Sequence, residues 1–191
     1  MESAERRKND ILPHPKGWSI LKKMETNKEK YILDATASKR TFWINKEHPN
    51  TTFMDNRKEV KPEVLGDFRK MPFEDNSFNL VIFDPPHILQ KEFNGKLVTH
   101  QYYGILNPET WKEDLKKGFD ECFRVLKEKG TLVFKWSDCN RWANSKAKLK
   151  DVFEFIGYEP LIIERFKLSE NSTTYWCIFT KQKGGLNSSQ P

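Results

Sequence analysis

The sequence predicts an α/β domain in which a seven-stranded, mostly parallel sheet is flanked by helices and ends in an antiparallel hairpin. Three observations lead there. Short runs of β-branched and aromatic residues alternate with helical patterns, as in folds that cover a parallel sheet with helices. Most of the runs are continuously apolar, which suits strands buried on both faces. The last two are separated only by the polar stretch 167–173, too brief for a crossover helix, so they pair antiparallel.

Taken in order, residues 1–30 read as an irregular segment through Pro13-His14-Pro15-Lys16-Gly17 followed by a helix over 18–28. Strands follow at 31–36, 51–55, 63–66 and 78–84. The clearest helix comes next: Asn107 can cap it, Pro108 fits its first position, and Trp111, Leu115, Phe119, Cys122 and Leu126 recur at helical spacing before Gly130 closes it. A fifth strand spans 131–136. A second helix carries Leu149, Val152, Phe153 and Ile156 and stops at Gly157. Strands at 161–166 and 174–180 make the hairpin, and 184–191 reads as a disordered tail.

A chain of 191 residues suits one well-buried domain, here spanning 1–183, and is too short for two ordinary ones. The net charge of +6 permits an anionic partner, although residues of both signs are interspersed. Cys122, Cys139 and Cys177 are isolated and odd in number, which argues against a disulfide framework and against a metal site. A reduced, cytoplasmic setting is expected. No apolar run approaches the length of a membrane span, and the polar start Met1-Glu2-Ser3-Ala4 is not that of a signal peptide.

Chemistry concentrates where the apolar run from Phe78 to Phe83 meets Asp84-Pro85-Pro86-His87. Proline fixes φ and removes the backbone N–H, so two prolines at a strand end hold the neighbouring carbonyls as outward acceptors beside the Asp84 carboxylate. A planar amino group could give one hydrogen to Asp84 and the other to the Pro85 carbonyl. Its nitrogen lone pair would then project out of plane.

This corner resembles the Asp/Asn-Pro-Pro-aromatic motif of amino-group N-methyltransferases that use S-adenosylmethionine (SAM), with His87 where Tyr, Phe or Trp is usual. The resemblance covers roughly residues 31–181 and implies a Rossmann-like class I methyltransferase fold. Thr41-Phe42-Trp43 and the Pro-Pro-His step are also similar to those of a small group of bacterial and phage methyltransferases. Acids end or follow the first four strands: Asp34, Asp55, Asp67 and Asp84. The resemblance implies that Asp55 accepts from the ribose hydroxyls of SAM, that Asp67 faces its adenine amino group with Phe68 near the ring, and that Asp34-Ala35-Thr36-Ala37 holds its methionine end. The family's turn, Asp/Glu-x-x-x-Gly-x-Gly, here reads Asp34-Ala35-Thr36-Ala37-Ser38-Lys39-Arg40, so no glycine supplies positive φ. His87 is expected either to stack on the acceptor base or to relay its proton.

The acceptor is expected on the loop 88–106, where Lys91, Phe93, His100, Tyr102 and Tyr103 interleave basic and aromatic groups, with Lys135 on the same rim. That mixture suits a splayed-out base and its phosphates, hence DNA or RNA as substrate. Reading a long duplex would take a partner subunit or a homodimer. The expected reaction is N-methylation of an exocyclic amino group, adenine N6 foremost. A protein amide or small amine is the alternative acceptor, and a non-catalytic nucleic-acid-binding module with a degenerate SAM loop is the alternative class.

Overall fold

The computed structural model describes residues 29–41, 43–92, 94, 100–101, 104–139, 147–169 and 172–183. The expected N-terminal helix, the C-terminal tail, Phe42, Phe93, Tyr102 and Tyr103 lie outside these residues. The strands are β1 (Ile32–Asp34), β2 (Thr51–Asp55), β3 (Val64–Leu65), β4 (Phe78–Phe83), β5 (Leu126–Cys139), β6 (Ile162–Ser169) and β7 (Ser172–Thr180). They form one sheet in the order β3-β2-β1-β4-β5-β7-β6. Strands β1 to β5 pair in parallel, and β7 runs antiparallel between β5 and β6. The predicted architecture is therefore present. Strand order reverses between β1 and β4, which opens a crevice at their carboxyl ends.

Two helices, α1 (Trp111–Val125) and α2 (Leu149–Ile156), are described. α1 buries Trp111, Leu115, Phe119 and Cys122, with the Phe119 ring 4.8 Å from Phe134 of β5 and 5.7 Å from Phe83 of β4. Burying a side chain of that size contributes about 1.5–3 kcal/mol, so this aromatic group ties the helix to the strands that carry the crevice. α2 leans on α1 through Phe155, whose ring lies 5.4 Å from Trp111. Gly157 ends it at φ 74°, as its sequence position predicts.

The end of α1 corrects the sequence reading. Leu126 keeps the helical spacing, but its backbone is extended and it pairs with Phe78 of β4, so the chain passes from Val125 directly into β5. Gly130 thus lies inside a strand and closes no helix. Sheet pairing overrides the local period there. At the other end Thr110 precedes the helix, while Asn107 opens the turn before it, its carbonyl accepting from the Thr110 and Trp111 N–H groups. Cys122 and Cys177 are free and buried, and burial pushes the Cys177 thiol up to about 12. They act as small hydrophobes. Among the described residues no cluster is arranged to hold a metal, and no helix is long and apolar enough to cross a membrane.

Candidate active site

A cavity of about 390 Å³ opens at the carboxyl ends of β1, β2 and β4. Ala35, Thr36, Ala37 and Ser38 form one wall, Asp55 and Phe68 the next, and Asp84, Pro85 and Pro86 the third. The size is within the range of small-molecule sites.

The loop after β1 has the shape its sequence did not promise. Ser38 and Arg40 stand at φ 45° and 53°, the two positions where the family pattern places glycine. A non-glycine residue in that region costs about 1–2 kcal/mol. The surroundings hold it: the Ser38 N–H donates to Asp55 Oδ2 at 2.8 Å, the Arg40 N–H to the Ala37 carbonyl at 2.7 Å. The Arg40 guanidinium sits 4.0 Å above the Phe53 ring and donates to the Lys46 carbonyl at 2.6 Å. Thr36 Oγ1 accepts the Asp84 N–H at 2.9 Å, which fixes this loop to the end of β4.

Each acid at a strand end has a distinct setting. Asp55 is buried and bound by both its oxygens to Arg57. Asp67 is bidentate with Arg69, whose hydrogen bonds hold its carboxyl below the usual range, and it lies off the cavity wall. Asp34 is fully buried beneath the loop, accepting from Trp43 Nε1 at 2.7 Å and the Thr36 N–H at 3.3 Å. Burial, with smaller additions from Asp84 and Asp55, pushes it up to about 7 against those two hydrogen bonds. Asp34 therefore shapes the loop and does not face the cavity, which corrects its expected place among the cofactor contacts.

Asp84 does face it. Lys135 Nζ lies 2.5 Å from Asp84 Oδ2 and 5.8 Å from the centre of the Trp176 ring, its cross-strand neighbour on β7. Lys135 therefore points inward onto the catalytic candidate, where the sequence placed it on the substrate rim. His87 lies off the cavity wall, edge-on to Trp136 at 6.2 Å. Burial lowers its pKa, Lys135 adds to that, and Asp84 opposes it, so the ring is neutral at neutral pH.

The loop 88–106 is stapled at its base by a bridge between Leu89 and Leu106. His100 is buried and accepts the Asn94 N–H through Nδ1 at 2.9 Å, which ties two described residues of the loop together. Lys91 is exposed and paired with Glu109, away from the cavity. Gly104 stands at φ 71°, and a Cβ there would lie 3.1 Å from Cγ of Pro86. We expect Gly104→Ala to cost about 1–2 kcal/mol of stability and to displace the proline corner. A urea denaturation curve checks the first effect.

The sequence reading missed Arg57, Arg69 and Asp114, all on the cavity wall. Asp114, from the first turn of α1, accepts from Arg69 Nη1 at 3.1 Å and from Thr110 Oγ1 at 2.8 Å. The repeated Asp-x-Arg steps at 55–57 and 67–69 were the available signal: in each, the acid accepts the arginine's own N–H, a turn typical of aspartate. Phe68 reaches the wall because Gly118 of α1 has no side chain; a Cβ there would come within 2.7 Å of Phe68 and Phe83.

No protein-family model and no curated protein matches the chain. Solved structures do. The PH0226 protein from Pyrococcus horikoshii OT3 superposes with a TM-score of 0.57 at 15% identity, over 83% of this chain and 84% of that one. The [4+2]-cyclase SpnF gives 0.54 at 12%, over 81% and 75%. The N-methyltransferase NodS from Bradyrhizobium japonicum WM9, in complex with S-adenosyl-L-homocysteine (SAH), gives 0.51 at 12%, over 79% and 76%. These likenesses establish the Rossmann-like class I methyltransferase fold, one that also serves a cyclase, so the function is argued from the site.

Proposed function

We propose that this protein is a SAM-dependent N-methyltransferase acting on an exocyclic amino group, adenine N6 in DNA or RNA foremost. One observation carries the reading: the Asp84-Pro85-Pro86 corner lines the same cavity as the Thr36 loop, Asp55 and Phe68. NodS, which shares the fold, is a methyltransferase crystallised with the SAM product SAH, which supports SAM here.

The residues fit that cofactor. The turn Ala37-Ser38-Lys39-Arg40 keeps the left-handed backbone that glycine would supply, so close approach to the methionine end is retained. This weighs against a degenerate, non-catalytic module. Phe68 presents its ring to the cavity, and Asp55 lies between it and the loop. SAM would supply an activated methyl group bonded to a positively charged sulfur.

Catalysis is then mostly positioning. Asp84 accepts one hydrogen of the acceptor amine and the Pro85 carbonyl the other, which aims the nitrogen lone pair at the methyl carbon. The methyl group would pass to that nitrogen, with the bonding electron pair left on the sulfur that SAM would supply. Positive charge grows on nitrogen beside the Asp84 carboxylate, and the surplus proton leaves along that hydrogen bond. Lys135 holds the other face of Asp84, fixing its rotamer. Neutral His87 packs behind the corner and supports it.

Incubating the protein with isotopically labelled methyl donor and a mixture of DNA, RNA and protein, followed by mass spectrometry, tests this. Label on an adenine N6 is the expected product. Label confined to protein or to a small amine would move the acceptor, and no label anywhere would end the reading.

A further inference from the structure

The Asp55 carboxylate is saturated. A carboxylate offers about four acceptor positions, and those of Asp55 are filled by the Arg57 N–H at 3.0 Å and Nε at 2.9 Å on Oδ1, and by the Ser38 N–H at 2.8 Å and Arg57 Nη2 at 3.2 Å on Oδ2. Two of these donors are backbone groups fixed by the turn. The other two belong to one guanidinium. A ribose diol can therefore reach Asp55 only by displacing the Arg57 side chain.

That side chain has somewhere to go. Its Nη1 already donates to the Gln101 carbonyl at 3.0 Å. There it lines a second recess of about 690 Å³, shared with Lys39, Asn56, Lys58, Glu59 and Gln101. While Arg57 is paired with Asp55 its charge is cancelled, and the recess sets Lys39 and Lys58 against Glu59. Once released, the guanidinium adds a full positive charge and a planar fork of donors, the geometry that matches a phosphate oxygen pair.

Resting on the function proposed above, we propose that cofactor binding turns this recess into a phosphodiester site: the diol takes Asp55, and Arg57 joins Lys39 and Lys58 to grip the acceptor's backbone. Cofactor and polynucleotide then bind synergistically, and the acceptor class is a nucleic acid. Because coupling is reciprocal, each ligand must raise the other's affinity by the same factor. The contacts are ionic, so the oligonucleotide affinity falls with salt.

The test uses fluorescence anisotropy of a labelled single-stranded oligonucleotide with and without saturating SAH, and calorimetry of SAH with and without the oligonucleotide. The wild type should show about fivefold or greater tightening in both directions. Arg57→Gln should bind SAH alone at least as tightly as the wild type, since the guanidinium no longer competes for Asp55, and lose the tightening. A merely structural arginine would instead weaken SAH on removal. Lys58→Glu should weaken the oligonucleotide about tenfold in the presence of SAH, the order expected for reversing one ionic contact. Equal oligonucleotide affinity with and without SAH in the wild type, or tightening that survives Arg57→Gln, overturns the coupling while leaving methyl transfer standing. Failure to bind SAH at all overturns both.

Discussion

Asp84→Ala should lower methyl transfer by at least a hundredfold while leaving SAH affinity within a fewfold of the wild type. The side chain supplies a charge-assisted hydrogen bond of about 1.5–3 kcal/mol to the acceptor amine and opposes the charge that develops on it, both strongest in the transition state. Alanine keeps the backbone N–H that binds Thr36 Oγ1, so the cofactor loop stays attached to β4. Asp84→Asn separates the two contributions: it retains an acceptor oxygen but not the charge, and should fall between the wild type and alanine. Steady-state rates together with SAH calorimetry read both quantities. Wild-type turnover in Asp84→Ala would remove Asp84 from the mechanism.

Asp34→Asn should flatten the pH dependence of folding stability. In the folded protein this carboxyl titrates near 7, raised mainly by burial, against an ordinary value of 3.8. Between those values the folded state holds a proton that the unfolded state has released. Stability therefore falls as pH rises through that window and levels off above about 7. The asparagine side chain cannot ionise, and its oxygen can still accept from Trp43 Nε1, so the variant should lose much less stability than the wild type between about pH 5 and pH 8. Denaturant midpoints at the two pH values check this. An unchanged pH slope would show that Asp34 is ionised in its buried site.

Much of this molecule could be read from its sequence, and for physical reasons. Short runs rich in β-branched and aromatic residues between polar turns are a local signal, so β2, β4 and the antiparallel hairpin declared themselves. The Asp84-Pro85-Pro86 corner was legible because proline stiffness and a strand-end carboxylate are local properties. What escaped depended on distant partners. Leu126 continues the period of α1, and only its pairing with Phe78 shows that it starts β5. Lys135 reads as a rim lysine until β5 is set beside β4, when it meets Asp84. His100 reads as a substrate contact in a polar loop, yet its side chain is buried and bonded to the Asn94 N–H. The turn 37–40 lacks glycine but takes its shape, because Asp55 and Phe53 hold Ser38 and Arg40 from the neighbouring strand.

A crystal structure of the protein soaked with SAH would test the central claim most directly. The account predicts density in the cavity between the Thr36 loop and Phe68, the ribose on Asp55 with the Arg57 side chain moved aside, and the sulfur facing Asp84 and the Pro85 carbonyl. SAH bound elsewhere, or with its sulfur turned away from the Asp84 corner, would contradict it.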